Sequence, residues 1–224
     1  MTAFERAWNR ELGVRRPERI VCVGRNYAAH AEEAGADLPA EPLLFAKLSN
    51  TVVGPDEPIV LPPESSHVDA EAELALVIGK PARRVEPGRV AGVLAGYVAA
   101  NDVSARDLQF GDGQWFRGKG FDTFCPLGTE IAPLQTIDPA VAVRQLLNGT
   151  VLQDGNTRDF IFGIGTLVAY ISKVVTLERG DVILTGTPDG VGYFRDPRVA
   201  LADGDVVEVS VEGVPPLTSP VVAG

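Results

Sequence analysis

Cysteine, histidine, methionine and tryptophan are scarce in this chain: 224 residues hold two Cys, two His, one Met and two Trp. Cys22 and Cys125 sit in unrelated apolar contexts with no CxxC. That argues against a disulfide framework, and the pair reads as buried thiols of a reducing compartment. A basic stripe is also lacking. Lys and Arg number 20 against 30 Asp and Glu, a formal net charge of −10. Nucleic acid and anionic membranes are therefore poor partners. No apolar run approaches the length of a membrane span. The opening MTAFERAWNRE has no apolar core segment, so no signal peptide is expected. These absences together predict a cytoplasmic protein.

What is present describes a globular protein. Apolar residues make up 45% of the chain, and the mean hydropathy is +0.09. The length suits one substantial core or two small ones. Without repeat, low-complexity tract or linker, one domain is expected over residues 19–224. It is preceded by an N-terminal arm at residues 1–18. Phe4, Trp8 and Leu12 stand there at i, i+4 and i+8, and Pro17 ends the helical pattern.

The stretch Asp69–Gly79, DAEAELALVIG, has strand periodicity. Ala70, Ala72, Leu74, Leu76 and Ile78 fall on one face, and Glu71, Glu73, Ala75 and Val77 on the other. The two carboxylates lie on the same side, about 7 Å apart at Cα. Like charges so placed repel, and burial would sharpen the repulsion. Either the strand is an exposed edge whose acids face water, or a cation sits between them.

Other stretches offer further chemistry. Ile20–Gly24 reads as a short strand closed by Gly. A short helix follows, with Asn26 as N-cap and Gly35 at its end. Inside it His30 and Glu33 stand at i, i+3 and share a face. A carboxylate beside an imidazole builds a general base, although surface His–Glu pairs are common. Leu43–Phe45 and Ile59–Leu61 are strand candidates. Gly96–Val103 is a buried strand whose end carries Asn101-Asp102. Ser104 and Asp107 fit a capping box, which places Arg106 and Gln109 on or just after the first turn of a helix. Lys119 follows in a Gly-rich aromatic loop, where it either approaches a ligand or is simply solvated. Asn148-Gly149 signals a hairpin. Thr166–Val175 suits a buried helix, and Val182–Thr187 and Val206–Val211 suit strands. Helices are few, so the class is a β-rich mixed α+β fold.

VGRNYAAHAEE (Val23–Glu33), AEAELALVIG (Ala70–Gly79), GYVAANDVSARDLQ (Gly96–Gln109), KGFDTFCPLG (Lys119–Gly128) and ILTGTPDGVG (Ile183–Gly192) occur in this order. In them the chain resembles the fumarylacetoacetate hydrolase family, C-terminal catalytic domain type, from about Ile20 onward. The short arm resembles compact members related to acylpyruvate hydrolases and 2-hydroxyhepta-2,4-diene-1,7-dioate isomerases.

The resemblance implies a fold of mixed sheets forming a β-roll. It implies one divalent metal held by Glu71, Glu73 and Asp102. An all-carboxylate set suits Mg²⁺ or Mn²⁺. It makes His30, Glu33 and Lys119 catalytic, and it places Arg25, Arg106, Gln109 and Thr187 around a small oxo-acid substrate. The implied reaction is hydrolysis of a C–C bond in 2,4-dioxo acids, acylpyruvates such as fumarylpyruvate, through a metal-bound enolate. His30, oriented by Glu33, would activate water. The implied alternative is a decarboxylase acting on oxaloacetate or a dioate isomerase, as in catabolism of aromatic compounds, on the same scaffold. A homodimer is expected, and residues 27–35 are expected to order over the substrate. Gly118 stands where Ala is more usual in the family, a departure expected to loosen the loop.

Overall fold

The computed structural model describes all residues, 1–224. Its first sheet is built around the acidic stretch. In chain order come α1 (Ala3–Leu12), β1 (Ile20–Gly24), α2 (Ala28–Glu33), β2 (Leu43–Lys47), β3 (Val52–Val53), β4 (Ile59–Leu61) and β5 (Val68–Asp69). Next are β6 (Ala72–Ile78), β7 (Leu94–Asn101), β8 (Ser104–Ala105), α3 (Arg106–Gly111), α4 (Phe116–Lys119) and β9 (Cys125–Pro126). A hairpin of β10 (Ala142–Leu147) and β11 (Thr150–Asn156) follows, then α5 (Ile164–Val174), β12 (Val182–Leu184), β13 (Val206–Val211) and β14 (Leu217–Ala223). The hairpin turns at Asn148-Gly149, with φ of 51° and 80°, the left-handed pair a tight two-residue turn requires.

One five-stranded sheet has the order β2-β1-β12-β6-β7, and a second has the order β11-β10-β13-β14-β4. The result is the β-rich mixed architecture with few short helices that the sequence predicts. β6 lies between β12 and β7, antiparallel to both, and all seven of its residues are buried. It is a central strand, which removes the exposed-edge reading of its acids. Its alternation is as expected. Ala72, Leu74, Leu76 and Ile78 enter the core between the two sheets, with Val143, Val209 and the buried face of α5. Ala75 and Val77 enter a second core on the opposite face, with Phe4, Trp8 and Leu12 of α1. The ladder starts later than the sequence suggests. Ala70 and Glu71 bridge β5 and β6 outside any ladder, and Ala70 joins a third cluster with Val103 and Phe124.

Two helix starts differ from expectation. Asn26 does not cap α2. Its amide donates to Phe162 O (3.2 Å) and Thr185 O (2.9 Å) and accepts from Phe162 N–H (2.8 Å), tying the start of α2 to distant segments. Tyr27 occupies the cap position without a side-chain bond. No capping box forms at α3 either. Asp107 accepts from Ser65 Oγ and from Ser66 N–H and Oγ, and Ser104 Oγ donates to Asp102 O. In both places a tertiary partner outcompetes the local one. No helix is long and apolar enough to cross a membrane.

Candidate metal and proton-transfer site

Glu71, Glu73 and Asp102 converge at one end of the first sheet. Glu71 precedes β6, Glu73 is its second residue, and Asp102 follows β7, which runs antiparallel beside it. The pairing of Ala72 with Asn101 brings both strand ends to one place. One oxygen from each carboxylate lies within 4.8 Å of the others, and all three residues are buried. Asp102 N–H donates to Glu71 O (2.9 Å), which locks the two segments together.

Basic side chains surround this floor unevenly. Lys119 Nζ donates to Glu71 Oε2 (2.7 Å) and Asp102 Oδ2 (2.9 Å). Arg106 donates from Nη2 to Glu71 Oε1 (2.6 Å), from Nε to Asp69 Oδ1 (2.6 Å) and from Nη1 to Gln109 Oε1 (3.0 Å). Arg106 and Gln109 thus meet across one turn of α3. Glu73 has no basic partner and takes one hydrogen bond, from Gly186 N–H to Oε2 (2.7 Å). Lys47, wholly buried, donates to the carbonyls of Val103, Lys119 and Phe124 at 2.8–3.0 Å. Its Nζ also lies 2.9 Å from Asp102 Oδ1. Its three protons are directed at those carbonyls, so it meets Asp102 Oδ1 as a buried ion pair and not as an aligned hydrogen bond.

Burial alone would lift the Glu71 carboxyl, but the Arg106 and Lys119 charges override it and hold Glu71 well below the usual carboxylate range. Burial, then the Asp102 and Glu71 charges, push Glu73 well above that range. Burial also raises Asp69 despite Arg106. Lys119 is raised as well: burial works against its charge, and the Asp102 and Glu71 carboxylates outweigh that. Four buried carboxylates therefore face three buried cations, with Glu73 the one left over. A buried acid without a basic partner, beside two further carboxylates that each bring an oxygen within 4.8 Å, is a fit for a hard divalent cation, and the donor set is all oxygen. Glu71, Glu73 and Asp102 are the residues that would hold it.

The His–Glu pair closes the site from above. His30 Nδ1 lies 3.2 Å from Glu33 Oε2, and Glu33 Oε1 accepts from Gly190 N–H (2.9 Å). The imidazole is 8% exposed, not a surface group, and packs edge-on against Phe194 (5.8 Å). His30, the three carboxylates, Lys119, Arg106, Gln109, Arg25 and Thr187 line one cavity of about 70 Å³, walled by Phe45, Phe110, Trp115 and Phe194. All ten residues singled out in the sequence thus meet, Glu33 through His30. Arg25 takes part in no ion pair and holds φ of 56°, a left-handed conformation uncommon outside glycine. Thr187 is more occupied than expected: its hydroxyl donates to Ala72 O (2.9 Å) and accepts from Gln153 Nε2 (2.7 Å).

Lys119 is not in a solvated loop. It ends α4 and is buried. Gly118 does not loosen this segment. A Cβ there would lie 2.7 Å from Gln109 Cβ and 2.8 Å from Ala105 O, so glycine lets α4 press against α3. Sequence reasoning missed Lys47, Asp69 and Gln153. A lysine closing the apolar run LLFAK was the one available signal, since a short buried strand seldom keeps an ammonium without partners.

A family profile described as the C-terminal domain of fumarylacetoacetate (FAA) hydrolase matches residues 19–222. The rat mitochondrial oxaloacetate tautomerase Fahd2a is 46% identical over 202 residues, covering 89% of this chain and 64% of that protein. The chain spans only 64–66% of the length of the vertebrate tautomerases that it matches. Among solved structures, the 5-carboxymethyl-2-hydroxymuconate delta-isomerase from Mycobacterium smegmatis superposes with a TM-score of 0.84 at 46% identity, over 95% of this chain and 82% of that one. The 2-hydroxyhepta-2,4-diene-1,7-dioate isomerase from Mycobacterium marinum gives 0.82 at 43% identity, over 92% and 75%. By its profile, its relatives and the site built at the end of β6, the chain belongs to the fumarylacetoacetate hydrolase family.

Proposed function

We propose that the protein is an isomerase that moves a proton between carbon and oxygen of a small 2-oxo dicarboxylic acid, with the enol and keto forms of oxaloacetate as reference substrate. The observation that carries this reading is the shared cavity. A carboxylate triad fit for a divalent cation, a buried ammonium and an oriented imidazole all face one small space. The relatives named as tautomerase and isomerases support the same chemistry over hydrolysis. Mg²⁺ or Mn²⁺ at Glu71, Glu73 and Asp102 would supply a Lewis acid that eases loss of a proton next to the 2-oxo group.

The chain's own residues do the rest. Glu33 fixes the proton on His30 Nδ1, which leaves Nε2 as the base that takes the proton from carbon and returns it. Lys119, kept charged by Asp102 and Glu71, donates toward the oxygen where negative charge develops. Arg25, free of ion pairs, binds the far carboxylate. The aromatic wall excludes bulk water. No water is consumed, and the proton lost at carbon balances the one gained at oxygen.

Hydrolysis of acylpyruvates stands as the second reading, favoured by the His30–Glu33 pair, because an oriented imidazole can equally activate water. The first test follows the enol absorbance of freshly dissolved enol oxaloacetate with Mg²⁺ and enzyme. A faster decay that chelator abolishes is the expected result. Decay at the buffer rate rejects the tautomerase reading.

A further inference from the structure

The backbone ladder between β6 and β12 ends where the site begins. Its last pair is Ala75 with Leu184. From there to Ala72, β6 keeps its backbone ladder to β7, and its other side, no longer paired with β12, is held mainly by side chains. Thr185 Oγ1 donates to Leu74 O (2.7 Å), reinforcing a longer bond from Thr185 N–H (3.2 Å). Gly186 N–H donates to Glu73 Oε2 (2.7 Å), and Thr187 Oγ1 to Ala72 O (2.9 Å). One group remains, the N–H of Ala72, and it donates to Gln153 Oε1 (2.9 Å).

Gln153 comes from elsewhere in the fold. It sits on β11, in the second sheet, with no exposed surface. Its Nε2 donates to Thr187 Oγ1 (2.7 Å) and Pro188 O (2.7 Å). The amide thus spends its acceptor on the residue between Glu71 and Glu73. It spends its donors on the hydroxyl that holds the same residue and on the turn that follows. That turn supplies Gly190 N–H to Glu33, the partner of His30. Gln153 is not among the residues lining the cavity.

We propose that Gln153 is a positioning residue for the carboxylate pair: by bonding Ala72 it fixes the spacing of Glu71 and Glu73, and so sets the affinity of the site for a divalent cation. The proposal rests on the cation reading given above. The physical reason is repulsion. Two buried carboxylates on one strand face push apart unless the backbone between them is held. Preorganised ligands bind a cation more tightly than ligands that must be gathered. Without the Gln153 amide, Ala72 N–H loses its partner, Thr187 loses the donor that fixes its hydroxyl, and Pro188 O is freed.

The test is direct titration of Mn²⁺, with free ion read by electron paramagnetic resonance, on wild type, Gln153→Met and Gln153→Leu. Folding is checked first by near-ultraviolet circular dichroism of the cation-free proteins. The expected result is tight binding by wild type and affinity lower by about 10–100-fold in a folded variant, the usual scale for residues that hold metal ligands. Two variants are used because either apolar side chain alone could fail to fit. Folded variants that bind Mn²⁺ like wild type overturn the proposal. So does unfolding of both variants, which would make the role purely structural. A wild type that binds no Mn²⁺ removes the cation reading itself, and the proposal with it.

Discussion

The floor and the rim of the cavity are built by different means. The floor is made where the central strand β6 and its neighbour β7 come together at one end of the sheet, and nearly every polar group there is held by another. Glu71 N–H donates to Asn101 Oδ1 (3.1 Å), Glu71 O accepts from Asp102 N–H, and Ala72 is held at both ends. The rim is made of short helices and turns. Phe110 is 46% exposed, and Trp115 is fixed by packing against Phe45 (5.0 Å). In the proposed reading, the chemistry that needs fixed charge belongs to the hydrogen-bonded floor, and the contacts that choose a substrate belong to the rim. A change in the floor should therefore cost turnover, and a change in the rim should cost affinity.

The largest effect is expected at Glu73. Glu73→Gln keeps the shape of the side chain but removes the one carboxylate without a basic partner. Activity should fall by at least about 10³-fold, since metal-ion charge stabilisation is worth several kcal/mol. Steady-state rates at saturating Mg²⁺, with thermal melts as a folding control, measure it. A loss under tenfold would place the cation elsewhere.

His30 comes next. His30→Ala should lower kcat by about 10²–10⁴-fold, the scale of a lost general base. Glu33→Gln should lower it less, because the imidazole stays and only its orientation suffers. Equal losses in both would mean that the pair acts only as a unit of structure.

The pH dependence of cation affinity is smaller and has a definite sign. Burial and the Asp102 and Glu71 charges raise the Glu73 carboxyl in the cation-free fold. A raised acid favours folding below the usual carboxylate range, and that contribution is lost as pH rises through the raised value. Cation binding must displace the same proton, so affinity should climb with pH by up to about tenfold per unit until Glu73 is ionised. Glu71, held well below the usual range, stays ionised throughout and adds no slope. Calorimetry in buffers of different ionisation enthalpy would count the proton, and a flat profile contradicts the assignment.

The rim gives the smallest effect. Trp115→Leu should raise KM several-fold with little change in kcat, since one wall contact is worth about 1–3 kcal/mol of binding. A fall in kcat alone would move Trp115 into the machinery.

Strand periodicity made the pieces of the floor legible, and the family resemblance joined Glu71, Glu73 and Asp102 into one site. Two glutamates at i, i+2 in an apolar strand, and an aspartate at the end of another, are visible without knowing which strands pair. The His30–Glu33 contact was legible for the same reason: i, i+3 spacing on a helix fixes proximity. What was not legible depends on partners far along the chain. Asn26 looks like a helix cap until Thr185, 159 residues later, takes its amide. Asp107 looks like half of a capping box until Ser65 and Ser66 reach it. Lys47 and Gln153 show no local sign of their work, because the carbonyls, carboxylates and backbone they hold come from other elements. Gly118 looked like slack and is a close contact, since only the packed helices show what a Cβ would meet.

In the proposed reaction the site moves a proton without breaking a carbon–carbon bond. One measurement addresses it: proton magnetic resonance of a single Mg²⁺-loaded preparation in deuterium oxide, given oxaloacetate and an acylpyruvate in parallel. A proton-transfer site gives rapid deuterium entry at the carbon next to the 2-oxo group of oxaloacetate, with neither cleavage of the acylpyruvate nor pyruvate release above the enzyme-free rate. Rapid cleavage of the acylpyruvate, with deuterium entry into oxaloacetate no faster than in buffer, would contradict it.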